Sequence, residues 1–189
     1  YDDDGSNGAG ALYILFMTAS ATVGGAQKIS NSEGGFAAHY TLASYENFGS
    51  SVASIGDLDG DGISELVVGA GDNAVYVLFM TTSSTASAVQ KISNSDGGLS
   101  AHYTLSYDSF GISVAPLGDM NGDGVVDFAV GASWGGDNPN TGAFYLIFAT
   151  TSGTVGDAAM VSMLEGGFAS FYTLDRDDRF GSSLALLGN

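Results

Sequence analysis

Short apolar or alternating runs, each closed by Gly, Asn or Asp, recur along the whole 189-residue chain. Runs of that length with that punctuation predict β-strands joined by tight turns. The pattern itself repeats. YILFMT (13–18) leads to QKISNSEGGFAAHYTL (27–42) and FGSSVASIGDLDGDGISELVVGA (48–70). YVLFMT (76–81) leads to QKISNSDGGLSAHYTL (90–105) and FGISVAPLGDMNGDGVVDFAVGA (110–132). YLIFAT (145–150) leads to MVSMLEGGFASFYTL (160–174) and FGSSLALLGN (180–189). Phe16, Phe79 and Phe148 are equivalent and stand 63 and 69 residues apart.

Each complete unit predicts four strands: Ser50–Ile55, Glu65–Gly69, Ala74–Met80 and Val89–Ile92 in one, and Ile112–Leu117, Asp127–Gly131, Ala143–Phe148 and Ala159–Met163 in the other. No stretch sustains a 3.6-residue period, so the class is all-β. A four-stranded antiparallel unit recurring at this length is what a β-propeller blade looks like, whereas a β-solenoid has shorter coils with less loop. The expected organisation is one propeller segment: a partial blade at 1–47, blades at 48–109 and 110–179, and the first strand of a further blade at 180–189. About three blade equivalents do not close a ring by themselves, since closed propellers need at least about four. The chain therefore reads as a segment of a longer propeller, or as a unit that assembles with further copies.

Composition narrows the partners. Twenty-one acids face four bases, for a formal charge of −17, the opposite of what phosphate neutralisation requires, so no nucleic-acid partner is expected. The apolar runs fall far short of the roughly 20 residues that span a bilayer, so no membrane insertion is expected. There is no cysteine, which excludes disulfides and thiolate metal sites. A chain this acidic either repels itself or holds cations.

The placement of the acids favours cations. The pattern D-x-D-G-D-G-x-x-E at 57–65 returns as D-x-N-G-D-G-x-x-D at 119–127. Calcium takes six to eight hard oxygens in a flexible shell, and glycines at the fourth and sixth positions allow the sharp turn that brings such oxygens together. The expected ligands are Asp57, Asp59, Asp61, the Ile63 carbonyl and Glu65 in the first loop. In the second they are Asp119, Asn121, Asp123, the Val125 carbonyl and Asp127. An EF-hand is excluded because its twelfth position, a bidentate Glu, is here Val68 or Val130 within an apolar run. Magnesium is disfavoured, since it retains its waters and usually needs a phosphate partner. The plainer reading, an acidic turn kept only for solubility, leaves clustered like charges uncompensated. Asn189 aligns with Asp57 and Asp119, so a third calcium hairpin begins there and is cut off. Thirteen residues matching 58–70 would bridge end to start with the blade spacing kept, supplied by a neighbouring copy or by further chain.

These segments, with FG, acidic loop and VGA in fixed order, closely resemble FG-GAP repeats of integrin α-subunits and of bacterial and algal surface proteins. The resemblance implies a propeller with Ca²⁺ in the hairpin between the first and second strands of a blade, on the lower face. It also implies partners on the opposite face or rim: a protein or glycan ligand on the upper-face loops 2–10, 71–73 and 133–142 and the long connections 31–47, 94–109 and 165–179. The implied function is non-enzymatic, extracellular or cell-surface adhesion or recognition. Two other functions compete. One is a structural subunit of a surface filament or coat built through blade edges; the other is an accessory propeller of a larger enzyme, such as a phospholipase that releases glycolipid-anchored proteins.

Other residues that draw the eye have simpler readings. His39 and His102 are equivalent, but Phe171 takes their place in the third copy, which suits packing better than catalysis. Trp134, the single tryptophan, lies in an upper-face loop and suits either a partner anchor or a blade-edge cover. Phe48, Phe110 and Phe180 are expected in the core between blades. The Asp2–Asp4 run is read as a solvated tip.

Overall fold

A computed structural model describes residues 6–71, 73–106, 108–136 and 140–187. Ten strands run in chain order: β1 (Leu12–Met17), β2 (Val23–Ile29), β3 (Ser51–Gly56), β4 (Glu65–Ala70), β5 (Ala74–Met80), β6 (Ala86–Ile92), β7 (Phe110–Gly118), β8 (Asp127–Ala132), β9 (Ala143–Ala149) and β10 (Val155–Val161). Each long connection carries one 3-10 turn, at Phe36–Ala38, Leu99–Ala101 and Phe168–Ser170. β3-β4-β5-β6 and β7-β8-β9-β10 are four-stranded antiparallel meanders, and β1-β2 is a two-stranded sheet. The architecture is all-β and consists of partial-propeller blades with open ends.

The sheets stack face to face. Every residue of β5 is buried, because its two faces belong to two different cores. Val75, Val77 and Phe79 pack with Tyr145, Ile147 and Phe110 of the following blade. Tyr76, Leu78 and Met80 pack with Leu12, Ile29 and Phe36 of the preceding sheet. This accounts for the continuous apolar reading of the third strands, where a half-exposed strand would alternate. Phe48 and Phe110 meet the rings of Tyr76 and Tyr145 edge-on, at 5.6 and 5.5 Å between centroids, a preferred aromatic geometry. Phe180 is half-buried and packs on Phe144 and Phe168.

Neighbouring blades touch through backbone. A Cβ at Gly69 would collide with the Gly111 carbonyl oxygen and with Ser51 Oγ, and one at Gly131 would collide with the Gly181 carbonyl and Ser113 Oγ. The glycine of each VGA thus lies against the glycine of the next FG. The same serines tie the seam: Ser51 Oγ donates to the Gly111 carbonyl at 2.8 Å and Ser113 Oγ to the Gly181 carbonyl at 2.7 Å. The long connections are clamped too. Asn31 exchanges both of its amide hydrogen bonds with the Leu42 backbone, and Asn94 does the same with Leu105, which explains the recurring SNS before HYTL.

Two expectations are corrected. The fourth strands start earlier than the apolar pattern indicates: β6 begins at Ala86 rather than Val89, and β10 spans Val155–Val161 rather than Ala159–Met163. Pairing with the third strand, Ala86 with Met80 and Val155 with Ala149, imposes the strand where the side chains alone do not. Residues 180–187, expected as a first strand, make one parallel bridge, Gly142 to Phe180, and form no ladder. A ladder needs a second strand, and none lies beside them among the described residues. The third calcium hairpin at Asn189 and the Asp2–Asp4 run lie outside the described residues.

Candidate metal centre

Both acidic loops join the first strand of a blade to the second, β3 to β4 and β7 to β8. In the first, the sharp turn is held by its own acids. Asp57 accepts from the Gly60 and Gly62 N–H groups at 2.8 and 2.9 Å, Asp59 from Asp61 N at 3.1 Å, and Asp61 from Ile63 N at 2.7 Å. Gly60 and Gly62 sit at φ +83° and +88°, where a side chain would be strained. The turn gathers one carboxylate oxygen each from Asp57, Asp59 and Asp61 within 4.8 Å of one another, all exposed at the loop surface.

Glu65 differs. It is fully buried at the start of β4, where its Oε2 accepts from Leu58 N at 2.6 Å. Its Oε1 is buried with no hydrogen-bond partner. Burial pushes this carboxyl above its ordinary range, and the charges of Asp59 and Asp61 push it further the same way, against the lowering effects of the Leu58 and Met80 N–H groups. The Met80 N–H makes no well-formed hydrogen bond to Oε1; a buried carboxylate oxygen so poorly satisfied is costly, and a cation is a partner that suits it. The residue types and this orphaned oxygen fit a hard divalent ion.

The second loop repeats the frame with altered chemistry. Asp119 accepts from Gly122 and Gly124 N at 2.7 and 2.9 Å, Asn121 Oδ1 from Asp123 N at 2.9 Å, and Asp123 from Val125 N at 2.8 Å. Asn121 Nδ2 donates to Asp123 Oδ2 at 2.9 Å, so the amide supplies inside the loop some of the compensation that Asp59 cannot. Asp127 is buried like Glu65, but its shorter side chain is satisfied on both oxygens, by Met120 N at 2.9 Å and Ala149 N at 3.2 Å. Burial raises its proton affinity as well. Ile63 and Val125, expected to offer carbonyls, are half-buried at the exit of their turns. A hollow lined by Asn121, Asp123 and Val125 continues to Thr150 and Asp157. The acidic loops and the Ser/Thr hairpins between third and fourth strands therefore share one edge of the blade, as the meander requires.

Elsewhere, Arg179 lies 4.5 Å over the Trp134 ring, which is half-exposed, and His102 Nδ1 stands 3.4 Å from Asp157 Oδ1. A buried network went unread in the sequence: Glu46 accepts from Tyr76 OH at 3.0 Å, from Lys91 Nζ at 2.9 Å and from Ala43 N at 2.8 Å. The signal available was the recurrence of Tyr and Lys at 13 and 28, and again at 76 and 91.

Residues 48–78 and 110–147 match the FG-GAP repeat family model. The chain is similar to integrin α-PS2 of Drosophila melanogaster, 30% identical over 165 residues that are 75% of this chain and 11% of the relative. It is also similar to integrin α-7 of Homo sapiens, 37% identical over 132 residues, 66% of this chain and 10% of the relative. Integrin α-2 of Bos taurus is 36% identical over 91 residues, 45% of this chain and 7% of the relative. The chain thus spans about a tenth of the length of these curated relatives. Among the described residues, no helix is long and apolar enough to cross a membrane. With the FG and VGA glycines meeting across each seam and an acidic hairpin below it, the chain is an FG-GAP repeat protein of integrin α-like type.

Proposed function

We propose that this chain is a non-enzymatic, calcium-binding propeller segment that works outside the cell in adhesion or recognition. Asp57, Asp59, Asp61, Glu65 and the Ile63 carbonyl would hold one ion; Asp119, Asn121, Asp123, Asp127 and the Val125 carbonyl would hold a second. The observation that carries this reading is the meeting of the Asp57, Asp59 and Asp61 carboxylates within 4.8 Å on the same loop whose last acid, Glu65, lies outside that group with a buried oxygen that makes no hydrogen bond. When bound, the cation supplies charge neutralisation and no covalent chemistry. The chain's own residues do the rest: glycines set the turn, backbone N–H groups aim the acids, and the sheet fixes Glu65 and Asp127 at its edge. Filling such loops stiffens the lower edge and leaves the opposite loops, among them the Trp134–Arg179 pair, to meet a protein or glycan. Extracellular modules of this kind bind calcium at about 10⁻⁴–10⁻³ M, a range matched to conditions outside cells.

Calorimetric titration with Ca²⁺ tests the reading. Two sites are expected, one lost in Asp61→Ala and both lost in Asp61→Ala with Asp123→Ala. No heat beyond dilution at millimolar calcium would refute it.

A further inference from the structure

The two acidic loops share a frame and differ in two of their acids. The same pair of contacts sets each turn: Gly60 and Gly62 N–H on Asp57 in one, Gly122 and Gly124 N–H on Asp119 in the other. At the third position Asp59 gives way to Asn121, and at the ninth Glu65 gives way to Asp127.

Both replacements weaken the second loop as a cation cage. D-x-D-G-D-G-x-x-E carries four carboxylates and D-x-N-G-D-G-x-x-D three, and the count of charged ligands sets calcium affinity. In the first loop, oxygens of three carboxylates crowd within 4.8 Å of one another. In the second, Asn121 Nδ2 already donates to Asp123 Oδ2 at 2.9 Å. The ninth residue repeats the contrast. Glu65 forms one hydrogen bond, from Leu58 N, and its buried Oε1 forms none. Asp127 holds a backbone N–H on each oxygen, from Met120 and Ala149. A cation at the second loop therefore has to share the Asp123 and Asp127 oxygens with donors that already hold them. One acid acts the other way: Asp157, whose counterpart on β6 is Ala88, lines the hollow beside Asn121 and Asp123. It stands outside the loop with its side chain 74% exposed, where water screens its charge.

We propose that the two loops are unequal calcium sites, the first the tighter, and that Asn121 and Asp127 are the residues that set the difference. Removing one charge from beside a divalent ion lowers affinity about tenfold or more even in water. This ranking rests on the calcium reading above and adds to it a graded response. At intermediate calcium the β3–β4 hairpin is tied while the β7–β8 hairpin is still open.

Correlation spectra of the ¹⁵N-labelled 189-residue chain test it, recorded as CaCl₂ rises to about 10 mM, beyond the affinities of extracellular sites. The Gly60, Gly62, Gly122 and Gly124 amides report the loops separately, because each donates to an acid of its own loop. The first pair should move with a midpoint about tenfold below that of the second. Asn121→Asp alters an exposed side chain and should narrow the gap; adding Asp127→Glu should close it. Asp59→Asn should carry the first midpoint toward the second. Equal midpoints in the parent, the reverse order, or a gap that Asn121→Asp and Asp59→Asn both leave unchanged would overturn the ranking and leave two calcium sites standing. Amides that stay in place at both loops would overturn the calcium reading itself, and the ranking with it.

Discussion

Withdrawing calcium should lower the melting temperature by an amount the two loops allow to be worked out. At an affinity of about 10⁻⁴–10⁻³ M, raising Ca²⁺ to about 10 mM stabilises the folded chain by about 1.4–2.7 kcal/mol per site through mass action. Two sites give about 3–5 kcal/mol. A chain of 150–250 residues gains about 2–4 °C per kcal/mol, so the expected shift is about 6–20 °C. Asp61→Asn keeps an acceptor for the Ile63 N–H while removing one of three clustered charges. Without calcium this variant should melt no lower than the parent, because like-charge repulsion is relieved. With calcium it should melt lower, its calcium-induced shift falling toward about half of the parent's as the first site weakens. The assay is differential scanning fluorimetry in EDTA and in CaCl₂, with NaCl of matched ionic strength as the control for screening. A calcium shift no larger than the NaCl shift, or one that Asp61→Asn leaves intact, would show that the acids are a solvated turn.

The seam and the buried acids give two more expectations. Gly69→Ala drives a Cβ into the Gly111 carbonyl, backbone of the next blade that cannot yield without parting the two, and into the Ser51 hydroxyl that ties the seam, and should cost more than about 3 kcal/mol in urea unfolding. Gly60→Ala has nothing within 4 Å and meets only the strain of its φ of +83°, about 1–2 kcal/mol. Equal costs would refute the seam. Asp108 is buried beside Ser106 N, and burial raises its proton affinity. A folded-state pKa above the unfolded value makes the folded state bind the proton more tightly, so stability falls as pH rises from the ordinary carboxylate range to the raised one. Asp108→Asn should lose that part of the fall when urea midpoints are compared between about pH 4 and 7, a window that opens at the ordinary Asp value. A variant with the parent's full slope would contradict it.

How much of this was legible depended on whether the signal was local. The third strands declared themselves because both faces of β5 are buried. The acidic loops did so because the donors that shape them lie two to five residues from their acceptors. The starts of β6 and β10 were hidden, since ASA at 86–88 and VGDA at 155–158 have no apolar alternation and are strands only by virtue of the neighbour they pair with. The Glu46–Lys91 contact spans 45 residues, and no window of sequence joins its ends. The difference between Glu65 and Asp127 was visible as a difference of one methylene. Its outcome was not: the longer acid forms a hydrogen bond to Leu58 N alone and only approaches the Met80 N–H, while the shorter one bonds two backbone N–H groups.

Because successive side chains of β5 serve opposite cores, this one ribbon is the common wall of two compartments. A small residue in place of Val77 slackens the wall on one side, and in place of Leu78 on the other, yet either change is felt next door through the shared backbone. Units joined in this way lose strength as a row of dominoes does, neighbour by neighbour. Truncating either side chain should therefore shift the unfolding of the flanking compartments together.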